Sequence, residues 1–172
     1  MFVSDEQNAF PIDVDRWQQL SLAVLADEGV EGEAELSVMF VDEATISDLN
    51  RRFMESSGPT DVLSFPIDGE PNVPGRWPDA GGPGPDRIEN DPEDLPLLLG
   101  DVVICPVVAE RNAPTHAGTT DDELALLVVH GILHLLGMDH AEDDERVEMR
   151  RREQELLATH YGALTRDPWS ST

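Results

Sequence analysis

The stretch HGILHLLGMDH, residues 130 to 140, restricts what this chain can fold into more than any other part of it. From Leu124 to Leu136 the surrounding residues read as a helix that is apolar all round, and such a helix belongs inside a core. Yet it carries His130 and His134. Residues four apart stand one turn above the other on the same helix face, so both imidazoles point the same way. Gly137 tolerates the positive φ that ends a helix and lets the chain reverse, which brings His140 back towards the other two.

Two readings fit three converging histidines. As core histidines satisfied by ordinary hydrogen bonds, each unpaired ring would cost roughly 1–3 kcal/mol. As metal ligands they give three nitrogens and leave the fourth tetrahedral position to water, the pattern of an open, catalytic zinc site. The metal reading removes the burial problem and is the one adopted, with one zinc ion on His130, His134 and His140. The spacing is that of a zinc-protease motif, except that Gly131 stands where such proteases carry their glutamate base. Asp139 is placed either to orient a ligand histidine or to serve as a turn residue. His116 and His160 read as surface histidines, with His116 able to lie near the site.

A length of 172 residues fits one domain with a real core. The opening MFVSDEQNAFPID has neither a basic nor an apolar leader region, and no apolar run is long enough to span a bilayer. A soluble, cytoplasmic protein without membrane contact is expected. The single cysteine, Cys105, excludes an intramolecular disulfide and reads as a small buried residue after a strand. Acidic residues number 36 against 11 basic ones, a net charge of −25, so most of the surface should repel nucleic acid.

Periodicity implies an α+β domain: a small mixed four-stranded sheet with flanking helices, and the metal site on a helix and the turn after it. ELSVMFVD (35 to 42), VLSF (62 to 65) and DVVIC (101 to 105) read as strands, with the opening FVS as the fourth. Helices are expected after Pro11, from Glu43 to Met54, over PVVAERNA, from a Thr120/Glu123 capping box to Leu136, and from Ala141 to Tyr161. The last should carry Glu142–Arg146 and Glu148–Arg152 pairs on an exposed face. Residues 68 to 95, rich in Gly, Pro and acidic residues, read as a mobile surface loop within a single 1–172 domain.

The motif H-G-x-L-H-L-x-G-x-D-H, preceded by PTDVLSF (59 to 65) and LGDVVI (99 to 104), resembles the YbeY family of bacterial rRNA maturation endoribonucleases. The resemblance covers about Val38 to Leu157. It implies a single-strand-specific, zinc-dependent endoribonuclease acting in 16S rRNA 3′-end maturation and ribosome quality control. It implies rRNA and the small ribosomal subunit as partners, with a ribosomal protein or assembly GTPase delivering substrate. Many family members carry an arginine where this chain has Met54, which makes the neighbouring Arg51 and Arg52 candidates for phosphate contact; their other reading is a solvated helix face.

A nuclease can do without the protease glutamate. RNA cleavage releases an alkoxide rather than a poor amine, and a carboxylate at that place would repel a phosphodiester. Thr60, Asp61 and Ser64 are candidate cleft groups, or simply a turn and a strand start. The attacking group, water or the RNA 2′-hydroxyl, stays open. Two rival readings remain: another metal-dependent hydrolase, and a non-catalytic assembly factor whose structural zinc is closed by Asp139 or Cys105.

Overall fold

The computed structural model of the chain describes residues 1–30, 34–54, 57–67 and 97–170. Strands β1 (Phe2–Asp5), β2 (Ala34–Phe40), β3 (Val62–Pro66) and β4 (Leu97–Ile104) form one sheet in the order β1-β2-β4-β3. β1, β2 and β4 run parallel, and β3 lies antiparallel to β4 at the edge. The mixed four-stranded sheet expected from sequence is therefore present, and FVS does supply a strand. The stretch from 68 to 95, read as a loop, falls outside the described residues.

Among the described residues five α-helices accompany the sheet: α1 (Val14–Asp27), α2 (Glu43–Phe53), α3 (Pro106–Asn112), α4 (Thr120–Leu135) and α5 (Asp143–His160). Strand side chains alternate between faces. Val38, Phe40, Val102 and Ile104 join Trp17, Leu20 and Val24 of α1 and most of α4 in the main core. On the opposite face Val103, Leu63, Cys105 and Val108 pack with Ile46 of α2. Cys105 is fully buried there, as its sequence context implied.

The all-apolar sequence of α4 is explained by its position, in contact with α1, α3, α5, β3 and β4. Gly131 allows it to lie so close to the sheet. A Cβ there would sit 2.5 Å from Cγ1 of Val102 and 3.2 Å from Oγ of Ser64, and the Ser64 hydroxyl donates to the Gly131 carbonyl across 3.3 Å. The residue beside His130 thus faces the sheet, which gives a steric reason for the missing glutamate in addition to the chemical one.

Two local expectations are corrected. The α4 cap is Thr119, which accepts from the Asp122 N–H, while Asp122 accepts from the Thr119 N–H. The box lies one residue earlier than expected because Glu123 is used elsewhere: it accepts from the Ala117 N–H and pairs with His116. On α5 the expected i, i+4 pairs are replaced. Glu142 is engaged as N-cap with Glu145, so Arg146 pairs with Asp143 instead. Arg152 crosses to Asp27 of α1 and to Glu28, the residue that caps it, and Arg151 binds Glu148 and Glu155.

Overpacking at a helix–sheet contact typically costs about 1–3 kcal/mol. Gly131→Ala should lower the unfolding free energy by an amount in that range, read as a lower urea midpoint at unchanged m. A variant as stable as the parent chain would show that the contact has slack.

Candidate metal centre

The i, i+4 spacing of His130 and His134 on α4, followed by the reversal at Gly137 (φ 92°), brings His140 to the other two. Ring centroids lie 4.5 Å (His130 to His134), 5.0 Å (His134 to His140) and 5.6 Å (His130 to His140) apart. Each ring offers a nitrogen, and the three nitrogens lie within 4.8 Å of one another. The Nε2 atoms of His130 and His134 face each other at 3.0 Å.

The tautomer of His130 is set by a residue that sequence reasoning missed. Glu153 of α5 is buried; one carboxylate oxygen lies 2.7 Å from His130 Nδ1, and the other accepts the Trp169 indole N–H at 2.8 Å. Nδ1 therefore carries the proton and donates it to Glu153, which leaves the Nε2 lone pair aimed at His134. A carboxylate behind a histidine is the arrangement that orients imidazole ligands and raises their basicity.

The histidines fit a shared cation better than they fit each other. Burial pushes the His134 pKa down to about 3, and charge on His130 and His140 pushes the same way, so its ring is neutral over the physiological range. Without an ion, its one proton must either point Nε2–H at the Nε2 of His130 or sit on Nδ1. Nδ1 is sealed from solvent and finds no well-aligned partner. Three imidazole nitrogens, with no thiolate or carboxylate in the group among the described residues, suit a divalent ion such as zinc and leave a coordination position open. Asp139 accepts from the His140 backbone N–H at 2.6 Å, as a turn residue would, and its charge also acts on His134.

The cluster stands at the junction of two lobes of a cleft. The larger, about 520 Å³, is lined by Asn50, Ser57, Thr60, Asp61 and Ser64 together with all three histidines. Thr60, Asp61 and Ser64 thus do face the cleft, while also holding local structure. Asp61 accepts from the Val62 N–H and from Asn112, and the Thr60 hydroxyl donates to it. The smaller lobe, about 360 Å³, shares Asp61, Val62, His130 and His140 and extends to α5 and the C-terminal residues. His116 lines it, whereas His160 pairs with Asp27. Arg51 and Arg52 are exposed on α2, Arg51 bound to Asp48, and neither lines these two lobes.

The family model described as Endoribonuclease YbeY matches residues 2–161. The chain belongs to the YbeY endoribonuclease family. It is 46% identical over 158 residues to the Endoribonuclease YbeY of Beutenbergia cavernae, an alignment covering 91% of this chain and 95% of that protein. With the Endoribonuclease YbeY of Acidothermus cellulolyticus it shares 48% identity over 153 residues, 87% of this chain and 86% of the relative. A solution structure from Thermotoga maritima is similar in fold, with a TM-score of 0.57, 26% identity and 94% and 90% of the two chains covered. The YbeY match ends before Pro168 and Trp169, so those walls of the smaller lobe lie beyond it.

Removing a carboxylate that orients a ligand histidine commonly costs 10–100-fold in metal affinity. Glu153→Ala should weaken zinc binding by about that factor in competition with a chromophoric chelator, with Glu153→Gln in between; unchanged affinity would make Glu153 a packing residue only. His134 also gives a pH signature in the chelator-treated chain. Its folded pKa lies below the unfolded 6.5, so the unfolded state takes up the proton first, and stability falls as pH drops from about 6.5 towards 3. The slope of the urea midpoint between pH 6.5 and 5 should flatten in His134→Gln.

Proposed function

We propose that this chain is a zinc-dependent endoribonuclease, cutting single-stranded RNA in 16S rRNA 3′-end maturation and ribosome quality control. The observation that carries the reading is the open set of three converging imidazoles at the junction of a two-lobed cleft, in a chain of the YbeY endoribonuclease family. The rival with a closed structural zinc has little support. Cys105 belongs to the core on the other face of the sheet, and Asp139 is not part of the converging group.

His130, His134 and His140 would hold the ion. Zinc supplies Lewis acidity when bound, making water a competent nucleophile near neutral pH and stabilising charge on a phosphoryl oxygen. The rest falls to the protein. Burial keeps His134 an unprotonated donor, and Glu153 holds the His130 ring in one tautomer. Asn50, Ser57 and Thr60 present hydrogen-bonding groups along the larger lobe, where sugar and phosphate oxygens would lie. Arg51 and Arg52, between Asn50 and Met54 of the same lobe, supply positive charge on the α2 side.

With a net charge of −25, affinity for free RNA is weak, and productive binding relies on the small ribosomal subunit with a ribosomal protein or assembly GTPase. The compartment this requires is the cytoplasm. Among the described residues no helix is long and apolar enough to cross a membrane.

The test is cleavage of a single-stranded RNA carrying the 3′ region of 16S rRNA, and of assembled small-subunit particles, by zinc-loaded protein and by His134→Ala. Activity should fall at least about 100-fold in the variant, the upper end of what losing an outer partner costs. Equal inertness of both preparations on both substrates would leave the zinc structural and remove the enzymatic reading.

A further inference from the structure

The two lobes that meet at His130 and His140 differ in chemistry. The larger is the more polar, with Asn50, Ser57, Thr60 and Ser64 beside the histidines, while the smaller has apolar walls made by Leu126 of α4, Met149 of α5, Pro168 and Trp169. Its volume, about 360 Å³, is in the range of pockets that take small organic ligands. Arg146 and Arg150 also line it, one helical turn apart on the same face of α5.

These two arginines are available in a way their neighbours are not. Arg151 and Arg152 are each held by two or more carboxylates. Arg146 pairs with Asp143, which is 93% exposed, and an ion pair that open is weak and easily exchanged. Arg150 makes no ion pair among the described residues. Two acidic residues also line the lobe, but their oxygens are engaged. Glu153 is taken by His130 and Trp169, and Asp61 by Asn112 and the Val62 N–H. Both acids keep their charge, but their oxygens face protein donors, so the groups at the lip with hydrogen-bonding capacity left for a ligand are the two guanidinium groups.

An aromatic and apolar wall beside paired guanidinium groups is the chemistry that recognises an unpaired base and its phosphate: the ring stacks, and the phosphate accepts charge-assisted hydrogen bonds. We propose that the smaller lobe is a nucleotide subsite, which seats one unpaired base of the RNA against Pro168 and Trp169 with its phosphate between Arg146 and Arg150. The subsite rests on the endoribonuclease reading and adds to it a physical source of strand selectivity. A base held in a duplex cannot enter the lobe. Because the arginines stand on α5 and the histidines at the junction, the seated nucleotide flanks the cleaved bond, and its position relative to that bond is constant.

The test uses zinc-loaded full-length protein and single-stranded oligoribonucleotides in which one abasic residue is moved along the sequence. Losing a stacked base should lower kcat/KM about tenfold at one position, at a constant offset from the cleavage point, with little effect at more distant positions. Arg146→Ala/Arg150→Ala should lower kcat/KM for the intact oligonucleotide at least about fivefold and flatten its salt dependence, with zinc content unchanged. If the parent enzyme cleaves while the abasic scan is flat and the double variant behaves as the parent, the subsite is wrong and the endoribonuclease reading stands. If the parent cleaves no RNA, free or in particles, both fail.

Discussion

The close approach of α4 to the sheet at Gly131 is the contact on which the rest depends. With no side chain at that position, the helix settles against Val102 and Ser64, and His130, the next residue back, is delivered to the edge of the sheet beside the Asp61–Ser64 segment. A bulkier residue would lift the helix and open the cleft along with the core. One glycine therefore serves packing and chemistry together, and it explains why a protease-like glutamate has no place next to this first histidine. Position 131 looks into the protein, where an ionised carboxylate would be left without water or partner.

Buried carboxylates then secure the site from behind. Asp122 caps α4 and also accepts from the Tyr161 hydroxyl and the Thr165 N–H; Glu123 accepts from the Ala117 N–H and pairs with His116. Glu153 joins α5 to both His130 and Trp169. Burying an acid is costly unless each oxygen finds a donor, and here the donors come from separate elements. The same bonds that satisfy the acids fasten the chain after α5 to the start of α4, and so set the far wall of the smaller lobe. Burial and the adjacent Asp122 carboxylate push the Tyr161 hydroxyl pKa well up, so it remains a donor under all ordinary conditions.

The histidines were legible in sequence because their geometry is local: a helix period, a glycine at positive φ and a short return. The strands were legible through alternation, although β3 as an antiparallel edge was not, since register depends on partners far along the chain. Glu153 was missed although it left a trace. Met149, Glu153, Leu156 and Leu157 form the buried stripe of α5, and a carboxylate within an apolar stripe calls for a buried cation or donor. Its partner lies 23 residues earlier, and nothing in local spacing names it. The surface ion pairs of α5 were misassigned for a related reason. A helical i, i+4 pair is worth only a few tenths of a kcal/mol, so a capping role for Glu142 and the carboxylates of α1 near Arg152 outweigh it.

The conflict between an acidic chain and a polyanionic substrate is eased inside the cleft by which groups still have free hydrogen-bonding capacity. Net charge describes the far field, which falls off within about 8–10 Å at physiological ionic strength; within the cleft, individual groups decide. There the carboxylates of Asp61 and Glu153 are occupied by protein donors, while Arg146 and Arg150 face the lobe without a buried partner. The run of three arginines at 150–152 divides accordingly, because successive helical residues point about 100° apart. Arg152 turns to α1 and holds the helices together, and Arg151 stays on the solvent face among glutamates. Arg150 alone of the three is directed at the site. A protein of this charge approaches RNA slowly without help, yet once engaged it presents a strand with local positive charge on one side of the histidines and polar groups on the other. In the proposed function, dependence on a carrier follows from the net charge, whereas strand selectivity follows from the shape of the smaller lobe, which admits only an unpaired base.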